Sequence, residues 1–153
     1  MSSIELLTVA DLENYPDNDG NRYELIEGEL YVSTAPRLPH QLVLVNLLAA
    51  FISYLTTNPI GKIVPGAGAV LSNFDAVIPD LVFVSNERWG QIVANDRFNA
   101  APDIVIEVLS PGSENCRRDL VAKRRLYENY GVMEYWVVDQ ENQSVLLYRY
   151  TRT

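Results

Sequence analysis

Apolar residues recur along this chain with two periods, and together these periods predict a mixed α/β domain. The segment "HQLVLVNLLAAFISYL", residues 40–55, repeats them at three- and four-residue steps, which predicts a helix with one buried face. Asn58 and Pro59 would end this helix. The predicted buried face consists of Leu42, Val45, Ala49, Ile52 and Leu55.

Turn and capping residues predict the flanking elements. Thr8 is a plausible N-cap for a short helix in "TVADLENY". In "YELIEGELYV" residues 23–26 would pair with residues 29–32 across Glu27 and Gly28, a pair that suits a type I′ turn. "MEYWVVD" and "SVLLYRY" predict a second hairpin near the C-terminus.

The middle of the chain predicts further strands and one more helix. "GKIVPGAGAVLS" and "AVIPDLVFVS" are typical of two strands, and "WGQIVANDRFNA" of an irregular connection with a helical turn. The strand "PDIVIEVL" is followed by the helix "CRRDLVAKRRLYENY", which Gly131 would end. Repeats and linkers are not apparent, so we expect a single domain over residues 1–153.

Composition narrows the class of protein. The chain is 48% hydrophobic and 21% charged, which is typical of a globular domain. One cysteine, Cys116, cannot form an internal disulfide, and this fits a reducing compartment. The N-terminal residues lack the pattern of a signal peptide, and the longest apolar stretch is short for a membrane span. We therefore expect a cytoplasmic protein without a membrane partner.

Charge is distributed unevenly. The formal net charge of −8 argues against a protein that coats nucleic acid along its whole surface. Residues 1–30 carry eight carboxylates and a single basic side chain, Arg22. Basic side chains are instead concentrated in the predicted helix 116–130, where they form either a solvated face or a nucleic-acid contact. The candidate nucleic-acid-binding residues are Arg117, Arg118, Arg124 and Arg125.

Two carboxylates interrupt strands that are otherwise apolar. Asp80 lies in "VIPDLVFV" and Glu107 in "PDIVIEVL", on consecutive strands that we expect to be neighbours in the sheet. Central strands are usually almost continuous apolar runs. Burying an unpaired carboxylate is costly, so each needs a compensating partner. The structural alternatives are an Asp that caps a turn and a Glu that pairs with an arginine.

A lysine shares the inward stripe of the predicted helix 116–130. Lys123 stands between Leu120 and Tyr127, from where it either extends to solvent, pairs with Asp119, or reaches the sheet that holds Asp80 and Glu107. Two carboxylates and a lysine form a set that cleaves phosphodiesters. The carboxylates hold Mg²⁺ or Mn²⁺, and the lysine stabilises the charge that develops on the phosphate.

Four segments resemble the Uma2 family, also called DUF820, which is grouped with the restriction-endonuclease-like PD-(D/E)XK nucleases. They are "YELIEGEL", "IPDLVFVS", "APDIVIEVLSP" and "RRDLVAKRRLYENYGVMEYWVVD". The resemblance implies an α/β restriction-endonuclease-like core with a mixed sheet flanked by helices, a divalent metal site, and endonuclease activity on DNA. Asp80 would be the Asp of "PD" and Glu107 the following acidic residue. Leu109 stands where the general motif has lysine, which Lys123 would replace.

The same resemblance extends the site. It implies that Glu24 completes the metal shell of Asp80 and Glu107, and that His40 supports or caps the site and does not bind the metal directly. The sequence therefore predicts a metal-dependent endonuclease that hydrolyses DNA phosphodiester bonds; the alternative is a catalytically inactive binding or assembly module. Concerted double-strand cutting needs two sites, so we also expect a homodimer, with "SVLLYRY" as a pairing edge.

Overall fold

Two β-sheets and four helices make up the computed structural model over residues 5–110 and 114–151, the ranges that the structure describes. Of residues 114–119 it describes only the backbone. In spatial order, the first sheet consists of β2 (Glu29–Ser33), β1 (Arg22–Ile26), β5 (Asp75–Val77), β4 (Ala69–Ser72), β8 (Arg97–Phe98) and β7 (Val93–Ala94). The second consists of β11 (Ser144–Arg149), β10 (Glu134–Asp139), β9 (Ile104–Val108), β6 (Leu81–Ser85) and β3 (Gly61–Pro65). The helices are α1 (Val9–Leu12), α2 (Leu38–Thr57), α3 (Asn86–Ile92) and α4 (Glu114–Asn129).

The second sheet is covered on both faces. Leu81, Ile106 and Val138 pack against α2 on one face, while Val82 and Val105 belong to the larger core that includes side chains of α4 on the other. Strands β9 and β10 are parallel, whereas β6 runs antiparallel to β9, so the sheet is mixed. The mixed α/β class predicted from the sequence is confirmed, with two sheets in place of one.

The N-terminal hairpin has the predicted register. Strands β1 and β2 pair from Arg22 opposite Ser33 to Ile26 opposite Glu29. Both turn residues have positive φ, 53° at Glu27 and 76° at Gly28, as a type I′ turn requires. Thr8 caps α1 through a capping box with Asp11, as expected.

The turn glycine allows a direct test of this local geometry. We expect Gly28→Ala to lower the free energy of unfolding by about 2 kcal/mol. A residue with a side chain is strained at positive φ, and the added Cβ would lie 2.8 Å from Cβ of Leu6. Gly20→Ala is the matched control: its φ is 83°, yet the added Cβ has no neighbour within 4 Å, so it should lose only about 1 kcal/mol. Urea unfolding measures both. Equal losses would show that the contact with Leu6 adds no strain.

The buried face predicted for α2 is wrong. Leu42, Val45, Ala49 and Ile52 point to solvent, and Leu55 is only partly buried. The inward side chains are instead Val43, Leu44, Leu47, Leu48 and Phe51. Because α2 is apolar on both faces, its periodicity could not select one. The polar residue that marks the inward face is His40, which is buried.

The region between α2 and β9 is more finely divided than predicted. Where the sequence predicts two strands, the structure has four, β3 to β6. Gly66 takes a positive φ of 63° and residues 73–74 form a turn, and both interrupt the predicted strands. Asp80 consequently lies just before β6 and not within a strand. The connection predicted to be irregular contains α3, capped by Ser85, and the short β7–β8 hairpin.

Candidate active site

The pairing of β6 with β9 brings Asp80 and Glu107 together. Leu81 lies opposite Ile106 in this antiparallel pair, so the two strands are neighbours as predicted. The backbone N–H of Val108 donates a hydrogen bond of 2.8 Å to Oδ2 of Asp80. Both carboxylates are buried, with Asp80 4% and Glu107 8% exposed. The residue after Glu107 therefore holds Asp80 in place.

Lys123 bridges two carboxylates from different elements. Its Nζ lies 3.0 Å from Oε1 of Glu107 on β9 and 3.2 Å from Oε1 of Glu24 on β1. The Tyr127 hydroxyl, one turn further along α4, donates to the same Glu107 oxygen at 3.2 Å. The other oxygen of Glu24 accepts the N–H of Ile78 at 2.8 Å. Lys123 is directed to the sheet and not to solvent.

Asp80 has two cationic partners besides the backbone. Nη1 of Arg22 lies 2.7 Å from Oδ1, and Nε2 of His40 lies 3.2 Å from Oδ2. The Nδ1 atom of His40 lies 3.0 Å from Oε1 of Gln41. Since an acceptor faces each ring nitrogen, the doubly protonated imidazolium is favoured. The hydrogen bond with Asp80 raises the pKa of His40 in agreement.

Burial and neighbouring charges shift the pKa values of Asp80 and Glu107 in opposite directions. Burial alone would raise the pKa of Asp80, but hydrogen bonds from His40, Val108 and Arg22 lower it below its usual range. Burial raises the pKa of Glu107 to about 7, and the charges of Asp80 and Glu24 add to this effect against the opposing charge of Lys123. Burial lowers the pKa of Lys123, but Glu107 and Glu24 together raise it well above its ordinary value. Lys123 is therefore charged, and Glu107 is the carboxyl group closest to accepting a proton.

The donor chemistry fits a hard divalent cation. Glu24, Asp80 and Glu107 offer carboxylate oxygens, which Mg²⁺ and Mn²⁺ prefer. Among the described residues, no three His, Cys, Asp or Glu side chains converge at metal-binding spacing. Arg22, His40 and Lys123 neutralise these oxygens instead. A metal ion would therefore have to displace Lys123 from its bridging position.

The structure brings together most of the residues singled out in the sequence. Asp80, Glu107, Lys123, Glu24 and His40 form one buried cluster, which we call the acidic cluster. Arg124 and Arg125 are exposed on α4, outside this cluster. The Arg124 guanidinium lies 4.3 Å from the ring centre of Tyr148 on β11. Arg117 and Arg118 belong to α4, but their side chains lie outside the described part of the chain.

Two further residues of this site, Arg22 and Tyr127, were not predicted from the sequence. Arg22 contacts Asp80, and Tyr127 contacts Glu107. The signal for Arg22 was its position as the lone basic residue among eight acidic ones in residues 1–30. Tyr127 shares the inward face of α4 with Lys123, four residues away. The sequence alone could not identify Glu107 as the partner of the Tyr127 hydroxyl.

The fold and the sequence of this chain both resemble those of known proteins. The crystal structure of a putative nuclease belonging to DUF820 from Anabaena variabilis ATCC 29413 matches with a TM-score of 0.75, covering 96% of this chain and 82% of that chain at 22% sequence identity. The two chains thus share a fold. The model of the Uma2 family, described as putative restriction endonuclease, matches residues 9–152. The chain therefore belongs to the Uma2 family, which confirms the prediction from its motifs. No curated protein matches it.

Proposed function

We propose that this protein is a metal-dependent endonuclease that hydrolyses DNA phosphodiester bonds. The observation that carries the proposal is the pair of buried carboxylates, Glu24 and Glu107, that the ammonium group of Lys123 bridges, with buried Asp80 held by the backbone N–H of the residue after Glu107. Carboxylates at this burial need compensating cations, and carboxylate oxygens are the ligands that Mg²⁺ and Mn²⁺ prefer. A family described as putative restriction endonuclease supports the same activity.

Each residue of the acidic cluster has a task in this proposal. Asp80 and Glu107, with Glu24, would hold Mg²⁺ or Mn²⁺; such an ion, when bound, polarises the phosphoryl oxygen and lowers the pKa of its water. Lys123 places a positive charge beside the carboxylates, where it stabilises charge developing on the phosphate. Arg22 and His40 fix the orientation of Asp80.

The basic side chains of α4 provide the proposed contact with DNA. Arg125 is exposed, and Arg124 holds its guanidinium over Tyr148 at the surface. With Arg117 and Arg118, they would neutralise backbone phosphates in a chain that is otherwise acidic. We place this activity in the cytoplasm, in line with the single cysteine.

Isothermal titration of Mn²⁺ tests the metal site. We expect the wild type to bind and Asp80→Asn to lose binding, because the amide removes one anionic ligand. Asp103→Asn is a matched control outside the acidic cluster: Asp103 is also buried, lies 3.2 Å from an arginine, Arg88, and accepts a backbone N–H at 2.8 Å. Circular dichroism monitors folding of both variants. If Asp80→Asn binds Mn²⁺ as tightly as Asp103→Asn, the metal site is not there.

One observation favours a second function, a non-catalytic binding or assembly module. The carboxylates already have protein partners, since Arg22 and His40 contact Asp80 while Lys123 contacts Glu24 and Glu107. A module of this kind would release no heat with Mn²⁺ and cleave no DNA, yet keep its fold. Titration of the wild type in the presence of DNA separates the two functions, because some metal sites fill only when the phosphate is bound.

A further inference from the structure

Helix α2 has a second apolar face, which is exposed in the part of the chain that the structure describes. Four large apolar side chains on it, Leu38, Leu42, Val45 and Ile52, are each 51–71% exposed. The opposite face already packs on the second sheet through Leu44, Leu47 and Phe51. A single scattered apolar residue on a surface needs no explanation, whereas a stripe along a helix marks an interaction surface.

The edge strand β11 extends this apolar surface. Leu147 lies opposite Trp136 and Val145 opposite Val138, so both point to the side of the sheet that α2 covers. Trp136 touches Phe51 of α2, with ring centres 5.6 Å apart. Val145 and Leu147 are 53% and 45% exposed. The stripe of α2 and these two residues are exposed on the same side of the sheet, and we call this surface the α2–β11 face.

Charge identifies the partner of this face. From Leu38 to Thr57 α2 contains no Asp, Glu, Lys or Arg, in a chain with a net charge of −8. Two copies repel each other over most of their surfaces, and α2 is a face where they approach without bringing like charges together. By length and apolar composition, this helix of 20 residues would also suit a bilayer. An acidic protein is repelled by anionic lipid headgroups, and the inward half of α2 is committed to the sheet.

The size of α2 determines how much further surface a dimer would need. A helix of 20 residues is about 30 Å long and about 10 Å wide, so its outer side alone presents roughly 300 Å² in projection. A stable interface buries about 800 Å² per partner. Helix α2 alone therefore provides less than half of such an interface, and Val145 and Leu147 of β11 add to it.

We propose that the α2–β11 face joins two copies of this chain in a two-fold symmetric dimer, with α2 packed against α2 of the second copy. In this arrangement Val45 of each chain lies near the centre of the interface, because it is midway along the exposed stripe. The proposal is independent of cleavage, since it involves no residue of the acidic cluster.

Sedimentation equilibrium of Val45→Lys and Val121→Lys tests the dimer. Val45 and Val121 are 59% and 63% exposed, so both substitutions add one positive charge to a similar surface position. Val121 lies on α4, whose core side chains Leu126 and Tyr127 pack on the other side of the sheet. We expect wild type and Val121→Lys to sediment as dimers of 17.3 kDa chains, and Val45→Lys to raise the dimer dissociation constant about a hundredfold.

Three results would overturn the proposal. The wild type sediments as a monomer at every concentration; Val45→Lys dimerises as tightly as Val121→Lys, which would assign the contact to another surface; or the wild type is monomeric and floats with phosphatidylcholine vesicles, which would assign the face to lipid. Leu42→Lys is a second variant of the same stripe and should weaken the dimer as well. Neither substitution buries a charge in the monomer, so folding is preserved, and circular dichroism verifies this.

Discussion

Glu107→Gln is expected to reduce DNA cleavage by about a thousandfold and to leave the free energy of unfolding almost unchanged. The loss follows from removing one anionic ligand of the proposed metal site. The fold tolerates the change because burial raises the pKa of Glu107 to about 7, so the site already accepts a neutral carboxyl group near neutral pH. Glutamine keeps an oxygen that accepts from Tyr127, and Lys123 retains Glu24. Nicking of supercoiled plasmid with Mg²⁺ and thermal unfolding measure the two quantities.

The control for this variant is Glu134→Gln. Glu134 lies on the adjacent strand β10, outside the acidic cluster, and pairs with Arg149 at 3.0 Å; its side chain is 19% exposed, against 10% for Glu107. The Glu134→Gln variant should cleave DNA as fast as the wild type. Cleavage by Glu107→Gln at the rate of Glu134→Gln would remove Glu107 from the catalytic residues.

Lys123→Met has the largest expected effect on stability. Without metal it should lower the free energy of unfolding by about 3 kcal/mol, because it leaves Glu24 and Glu107 buried without their shared cation. Protonation of Glu107 limits the loss to this lower end of the range for broken buried pairs. For a domain of this size the corresponding fall in Tm is about 10 °C. Differential scanning calorimetry in EDTA measures it.

Added Mn²⁺ distinguishes the two candidate functions in this variant. If the carboxylates bind metal, Mn²⁺ should raise the Tm of Lys123→Met more than that of the wild type, since the ion no longer competes with the ammonium group. A non-catalytic module would show the stability loss without this recovery.

Arg125→Met removes an exposed charge from the same helix and should change stability by no more than about 0.5 kcal/mol. Equal stability of the two variants would mean that Lys123 neutralises nothing.

Local rules were sufficient for part of the fold. The β1–β2 hairpin followed from Glu27 and Gly28, and the pairing of β6 with β9 from two consecutive apolar strands. The same rules failed for α2, because both of its faces are apolar and only contact with the sheet selects one. They also missed the division of residues 61–85 into four strands, since the bend at Gly66 interrupts no apolar pattern.

The same limit applies to the acidic cluster: residues that differ from their sequence neighbours could be predicted, and the others could not. Asp80, Glu107 and Lys123 stood out because each is ionisable at a position whose neighbours are apolar. Arg22 did not, because its neighbours in the sequence are polar and its partner is 58 residues away. Which basic residue neutralises which carboxylate depends on how β1 docks beside β5, and a single sequence contains no signal for that docking.

The first strand has a consequence for the order in which the protein becomes functional during synthesis. Arg22 and Glu24, two residues apart on β1, reach Asp80 and Lys123 respectively, so this N-terminal strand touches both halves of the acidic cluster. Lys123 belongs to α4 and is synthesised 99 residues after Glu24. The cluster therefore cannot assemble before α4 has been synthesised. If the proposed cleavage is correct, a nascent chain that stops before α4 carries no nuclease activity, and a cell is protected from such fragments of its own enzyme.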